Sequence, residues 1–214
     1  MRCPDDIEVN LNLLDRMPDY SLNLESTLLI VLVNYKRAND TIACLESLRL
    51  NVQVDHVVSI CDNASNDESE SLIRSDLAQH GNEFFVPSVA GLSEAFAYRR
   101  SDGRIGAYYV QSKVNGGFAA GNNQALSVAV RHFEFSFVWF LNNDTEIDAL
   151  CVAALLSRMR TNPQLGICGA TLIYNHDRQL VQALGGAVYT PWSGQIREIG
   201  NRTRLPQSID NTAV

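Results

Sequence analysis

No apolar run in this chain reaches the roughly 18 residues that a membrane span needs, so no transmembrane helix is expected. The N-terminus is acidic, and no basic region precedes an apolar run there, so no signal peptide is expected either. Cysteines never form a CxxC pair, and their number, five, is odd, which argues against a cysteine-ligated metal. Cys44, Cys61, Cys151 and Cys168 lie in apolar stretches and read as buried small hydrophobes, as a reducing compartment allows. Positive charge is in deficit: 17 basic residues face 24 acidic ones, a net charge of −7, which disfavours a nucleic-acid partner. Six of those acids (Asp5, Asp6, Glu8, Asp15, Asp19 and Glu25) fall in the first 26 residues, against Arg2 and Arg16. The fingerprint GxGxxG is absent, since the glycines of the richest segment sit at 116, 117 and 121, and no GK[ST] follows them. A dinucleotide dehydrogenase and a P-loop enzyme are therefore disfavoured. No repeat and no low-complexity segment is visible.

What is present is a core and an alternation. The 214 residues are 46% hydrophobic and 19% charged, enough for one large domain or two small ones. Residues 1–26, broken by Pro4 and Pro18, read as an extension without a strong period. Then "LLIVLVNY" (28–35) is a continuous apolar run of the kind found in strands buried on both faces. "RANDTIACLESLRLN" puts Ile42, Cys44, Leu45 and Leu48 on one helical face, with Asp40 near its start. "HVVSICDN" (56–63) is a second strand and "DESESLIRSDLAQH" a second helix. "EFFVPS" is a candidate third strand, and residues 88–104 read as an insertion without a period. "IGAYYVQS" (105–112), "GFAAGNNQALSVAVRHF", "FSFVWFLNND" and "DALCVAALLSRMRTN" continue as strand, helix, strand and helix. Within the third of these, Phe135 to Leu141 reads as a buried strand and Trp139 as core. Asn162-Pro163 stops the last helix, and "LGICGATLIYN" reads as a strand with a glycine break. Short strand-like pieces around a Pro191-Trp192-Ser193-Gly194 turn follow.

This alternation predicts an α/β fold with a mostly parallel central sheet flanked by helices. Right-handed crossovers would put the carboxyl ends of the strands on one edge, where ligands of open α/β sheets bind. Four polar clusters fall at four such ends: Asn34-Tyr35-Lys36-Arg37, Asp62-Asn63-Ala64-Ser65, Asn115-Gly116-Gly117 and Asn142-Asn143-Asp144. Each could be an ordinary turn or cap. Their convergence points instead to a ligand site. Asp62 either caps the next helix or accepts a hydrogen bond from a nucleobase N–H. The glycines either supply positive φ or let the backbone approach a ligand, with the next helix N-terminus favouring phosphate. Asp144 is a single acid at a strand end. One carboxylate, diphosphate oxygens and waters can complete a Mg²⁺ or Mn²⁺ shell. Asn142 and Asn143 would then suit ribose hydroxyls. Glu146 and Asp148 read as the start of the next helix, and His56, His80, His132 and His176 read as structural.

The stretches "IVLVNYKRANDTIACLESL", "CDNASNDES", "NGGFAAGNNQAL", "FVWFLNNDTEID" and "LGICGATLIYN…LVQALGG", in this order, resemble family 2 glycosyltransferases, in particular the rhamnosyltransferase-like branch. They cover roughly residues 28–187. The resemblance implies a GT-A fold over residues 27–214 and an inverting transfer from a nucleotide-diphosphate sugar donor. It favours dTDP-rhamnose as that donor, with UDP-sugars next. A saccharide or lipid-linked saccharide would be the acceptor, in bacterial surface polysaccharide synthesis. By position, it implies that Asn34, Tyr35 and Arg37 line the base and diphosphate pocket, and that Asp62 contacts the base with Asn63 beside it. Asn115, Gly117, Phe118, Gly121 and Asn122 would wall the donor site, Asn142 would approach the ribose, and Asp144 would bind Mg²⁺ or Mn²⁺. The motif's usual first carboxylate is Asn142 here.

An inverting transfer also needs a general base. None of Glu146, Asp148, Asp177, Glu198 and Asp210 sits in the family's base motif. The chain ends about where that half would begin, so a piece of a longer protein is expected, lacking the acceptor and base half. The alternative is a non-catalytic nucleotide-sugar-binding or scaffold module. A sugar-nucleotide pyrophosphorylase is disfavoured because its Gly-rich opening is missing after the first strand. A sheet without its last strands would leave edges for a partner or homodimer to cover. The expected location is cytoplasmic, with peripheral contact at the inner membrane face through Arg99, Arg100 and Arg104 or the Arg197–Arg204 stretch. Asn-x-Ser/Thr triplets occur at Asn39, Asn63, Asn143 and Asn201, and glycosylation at the two that fall in the expected cleft would block it, which also favours a non-secreted protein.

Overall fold

Strand β1 (Leu28–Asn34) is buried along its whole length, as its unbroken apolar sequence requires. A computed structural model describes residues 28–87 and 93–205. The expected extension at 1–26 and Asp210 lie outside those residues. The described residues fall into two compact units, divided after residues 42, 54 and 143, the first and third stretches forming one unit and the second and fourth the other.

The first unit is a six-stranded sheet. It contains β1, β2 (His56–Asp62), β3 (Asn82–Val86), β4 (Ser93–Arg99), β5 (Ile105–Ser112) and β6 (Phe137–Asn142). Their order is β3-β4-β5-β2-β1-β6. β5, β2, β1 and β6 are mutually parallel, while β3 and β4 are antiparallel to their neighbours. The mostly parallel α/β sheet is therefore observed. Helix α1 (Ala38–Asn51) starts in this unit and continues into the second; α2 (Ser69–Ala78) and α3 (Gly117–Ala129) belong wholly to the first. On one face of the sheet, Leu29, Val31, Val57, Cys61, Tyr108 and Val110 pack with Ala125, Val128 and Ala129 of α3. Gly121 allows that helix its close approach, because a Cβ there would lie 2.8 Å from a Val33 methyl. On α2, Ser69, Ile73 and Leu77 are buried at four-residue spacing, the stripe of an amphipathic helix.

Three expectations need correction here. Residues 88–104 are not a periodless insertion, since β4 occupies Ser93–Arg99 and bridges β3 to β5. Its inward residues are Ala95 and Ala97, both fully buried, and alanine carries little strand signal. β6 is not a strand buried on both faces. Among the described residues it pairs only with β1, so it is an edge, with Val138 and Phe140 exposed and Trp139 only half-buried. Cys151 and Cys168 are half-buried, in contrast to the buried Cys44 and Cys61.

The second unit holds α4 (Cys151–Thr161) and two hairpins, β7 (Thr171–Tyr174) with β8 (Asp177–Leu184) and β9 (Ala187–Thr190) with β10 (Gln195–Glu198). α4 buries Val152 and Leu156 and ends at Asn162, the residue before Pro163, as expected. The strand expected over 165–175 is shortened to β7, and residues 165–170 carry no strand. Pro191 to Gly194 form the β9–β10 turn, in which the Gly194 N–H donates to the Thr190 carbonyl at 2.9 Å. After β6, Ser47 on α1 accepts a hydrogen bond from the Ile147 N–H at 2.7 Å and so anchors residues 144–148 to the helix.

Candidate functional site

The carboxyl ends of β5, β2 and β1 lie side by side, and Asn34, Asp62 and Gln111 are register partners across them. Isolated polar side chains at such positions would be costly to bury, so they bond to one another. Asn34 is fully buried and Asp62 almost so. The Asn34 amide donates to Asp62 Oδ2 at 3.0 Å and to Ser65 Oγ at 3.2 Å. The other Asp62 oxygen accepts from the Ser65 N–H at 2.8 Å and from Gln111 Nε2 at 3.4 Å. Gln111 is itself held by the Tyr109 hydroxyl at 2.7 Å. On the far side, Asn34 Oδ1 accepts from the Thr41 hydroxyl at 2.9 Å, and that hydroxyl accepts from Asn143 Nδ2 at 2.8 Å. A polar belt therefore runs from β5 through β2 and β1 to the residue after β6.

The belt braces two loops of uncommon backbone. Lys36, Ala64 and Asn66 have φ of 57°, 58° and 52°, a left-handed conformation that few non-glycine residues adopt. Such conformers cost of order 1 kcal/mol each and persist only where the surroundings impose them. Ser65 supplies that constraint, since its Oγ also accepts from the Lys36 N–H at 2.9 Å. Between these loops lies a cleft of about 240 Å³ lined by Lys36, Arg37, Asp40, Asp67 and Ser69. A larger, open depression of about 410 Å³ lies at Glu70, Arg74 and Glu83, where Arg74 pairs with both glutamates.

A second braced turn sits beside the belt. Asn63 donates to Asn115 Oδ1 at 2.8 Å and to the Gly117 carbonyl at 3.1 Å, and accepts from the Gly116 N–H at 3.2 Å. Gly117, at φ 82°, takes the conformation that glycine is there to supply. Asn122 donates to the Phe118 carbonyl at 2.9 Å, while its buried Oδ1 finds no donor.

The sequence-nominated residues thus divide in two. Asn34, Asp62, Asn63, Gly121 and Asn122 are buried and hold the edge together. Tyr35, Arg37, Asn115, Gly117, Phe118, Asn142 and Asp144 are exposed, and Asn143 is half-buried. Lys36 lies over the Tyr35 ring at 5.3 Å, and Arg37 pairs with Asp40 at 3.0 Å. Sequence reasoning missed Thr41 and Gln111. Thr41 had a signal, since it precedes Leu45 by four residues and so lies on the buried face of α1.

No family model and no curated protein matches this chain. Among solved structures, it is similar to TarS 1–349 of S. aureus, a teichoic acid glycosyltransferase, at a TM-score of 0.43 and 13% identity. That match covers 71% of this chain and 43% of TarS 1–349, so the chain spans less than half of that structure.

Among the described residues, no group of three or more His, Cys, Asp or Glu side chains could hold a metal ion. Asp144 offers one exposed carboxylate. Such a donor set fits an ion that brings diphosphate oxygens and water as its other ligands. Neither buried thiol is a nucleophile. Burial, with the Asp144 charge adding to it, pushes Cys44 up to about 12, and burial with Asp62 does the same for Cys61. Acids beyond Asp144 are engaged locally: Glu146 pairs with Arg178 at 2.8 Å, and Asp148 accepts from the Leu150 N–H at 2.9 Å. Asp177 accepts from the Gln179 N–H at 3.0 Å, and Glu198 accepts from Asn201. Of the basic residues considered for membrane contact, Arg100 is paired with Asp55 and Arg104 with both Asp55 and Asp102, while Arg99 donates to the Gly103 carbonyl at 2.7 Å. Among the described residues no helix is long and apolar enough to cross a membrane.

Proposed function

We propose that this chain is the donor-binding part of a GT-A glycosyltransferase of family 2, in its rhamnosyltransferase-like branch. The polar belt is the observation that carries the reading. Ordinary capping needs no hydrogen-bonded chain across three strand ends and onward to a fourth. A rim that must keep one shape before a polar ligand arrives does need one. Tyr35, Arg37, Asn115 and Phe118 would meet the nucleotide, with Asn34, Asp62, Asn63, Gly121 and Asn122 holding the loops and Asp62 bearing on the base. Gly117 would let the backbone approach the diphosphate, and Asn142 and Asn143 would meet the ribose.

Asp144 would hold Mg²⁺ or Mn²⁺. When bound, the ion neutralises negative charge on the diphosphate leaving group. Protein residues bind and orient the donor, and Asp144 lends its charge to the ion. The donor would be dTDP-rhamnose, with UDP-sugars next, and the transfer inverting. A saccharide or lipid-linked saccharide would accept the sugar in bacterial surface polysaccharide synthesis. The protein would work in the cytoplasm, with peripheral contact at the inner membrane face through Arg197–Arg204. A homodimer would cover the open side of β6; a monomer in sedimentation equilibrium would remove that part of the proposal.

A second reading has its own support. All four described acids expected to follow Asp144 (Glu146, Asp148, Asp177 and Glu198) accept local hydrogen bonds, which favours a module that binds donor without turning it over. Calorimetric titration with dTDP and UDP, with and without Mn²⁺, tests both readings. Metal-dependent binding that Asp144→Ala weakens by at least tenfold is the expected result. Folded protein that binds neither nucleotide would sink the donor-site reading. Binding without sugar transfer to any acceptor would leave the module reading.

A further inference from the structure

Two members of the belt, Gln111 and Thr41, lie outside both the strand-end clusters and the proposed donor contacts, and only Thr41 reaches the chain after β6. Thr41 is fully buried in the first turn of α1, yet it joins Asn34 of β1 to Asn143 after β6. We propose that Thr41 is a positioning residue, whose hydroxyl locks the chain after β6 to the β1 and β2 loops before ligand binds. The proposal rests on the donor-site reading and deepens it.

The hydroxyl is well set for this task. It can donate to Asn34 Oδ1 at 2.9 Å while accepting from Asn143 Nδ2 at 2.8 Å. Its one proton has a second outlet in the Arg37 carbonyl, at the longer distance of 3.2 Å. The helix fixes the backbone through the Thr41 N–H to the same carbonyl at 3.0 Å, and β-branching restricts χ1. Valine has the same branched shape and neither hydrogen bond. In Thr41→Val, buried Asn34 would keep its bonds to Asp62 and Ser65. Half-buried Asn143 would instead turn its amide to water, because no other described residue bonds that group. The loss therefore falls on Asn34 Oδ1, which stays buried, and on the segment that carries Asn142 and Asn143 and leads directly into Asp144.

The experiment compares wild type with Thr41→Val, Thr41→Ser, Asn143→Ala and the Thr41→Val/Asn143→Ala double variant. Hydrogen exchange is read at the Asn143 side-chain amide, which Thr41 holds, and, as a control, at the backbone amides of Ile60 of β2 and Val110 of β5. Affinity for dTDP and UDP is read by calorimetry at fixed Mn²⁺. Thr41→Val should speed exchange at Asn143 by about tenfold or more and weaken nucleotide affinity by about tenfold, the worth of one buried hydrogen bond. Ile60 and Val110 should stay protected. Thr41→Ser, which keeps the hydroxyl, should stay within about twofold of wild type. The double variant should bind no worse than Asn143→Ala alone, since both changes cut one link. Unchanged exchange at Asn143 in Thr41→Val would overturn the proposal. So would an equal loss of protection at Ile60 and Val110, which marks a merely structural role. Should Thr41→Val not fold, a Thr41→Ser protein that behaves like Asn143→Ala rather than wild type in both readouts overturns it equally. If wild type binds neither nucleotide, the donor-site reading fails and the ligand half of this proposal falls with it. Exchange then still reports whether Thr41 holds the segment.

Discussion

The carboxyl edge of the first unit and the β9–β10 hairpin of the second invert the usual rule of burial in opposite ways. At the edge, polar side chains are inside: Asn34, Thr41 and Asp62 are at most 1% exposed. On the hairpin, apolar side chains are outside: Tyr189, Ile196 and Trp192 are 60%, 70% and 99% exposed. Buried polar groups are tolerated only where they are satisfied, and those of the belt satisfy one another. Exposed apolar groups need no partner, since water tolerates them one at a time. Stability should therefore be sensitive at the edge and insensitive on the hairpin, although the edge residues are the more hydrophilic.

Breaking the edge should give the largest effect. Asn34→Ala strips partners from Asp62, Ser65 and Thr41 together, and should cost about 3 kcal/mol in denaturant unfolding of the first unit. A cost below about 1 kcal/mol would mean that water reaches the belt and that it is no rigid frame.

A smaller effect should come from the opposite end of the same unit. His132 stacks on the buried Tyr108 at 5.8 Å, and burial, with Arg131 adding its charge, holds the imidazole below its ordinary value of 6.5. The unfolded chain then binds this proton more readily than the folded one. The contribution is present above about pH 6.5 and is lost as pH falls toward the lowered folded value. Wild type should lose more stability between pH 7.5 and 5.5 than His132→Gln does, in parallel unfolding titrations. Identical slopes would refute the assignment.

The smallest effect belongs to the hairpin. Trp192→Ser should change unfolding stability by no more than about 0.5 kcal/mol, because the indole leaves water neither before nor after folding. A loss above about 1 kcal/mol would show that the hairpin is covered in solution. Flotation with anionic liposomes separates a lipid surface from other covers, and failure to float removes the peripheral-contact proposal.

Legibility in the sequence followed the same division. β1 was readable because a run of Leu, Ile and Val has few alternatives to a buried strand. The turn at Gly117 was readable because few residues besides glycine adopt its backbone. β4 was hidden because alanines fill two of its buried positions, so its alternation is weak although Phe96 and Tyr98 are strand formers. β6 was misread because Phe137 to Leu141 are apolar on both faces, while only the sheet order reveals that it is an edge. Asn34 and Asp62 were visible as polar residues at strand ends, but a strand end does not announce which way its side chain turns. Thr41 passed as one more residue of an amphipathic helix.

Local chemistry written along the chain determined the strands, most helices, the turns and the clustering of asparagine and aspartate at strand ends, because hydrophobic period and backbone preference act over a few residues. Tertiary structure decided which of those polar groups became framework and which became rim. That choice depends on partners 28, 31 and 102 residues away in sequence, as in the Asn34–Asp62, Asn34–Ser65 and Thr41–Asn143 bonds. Hydrogen bonds of that kind exist only once the sheet has put its strands side by side.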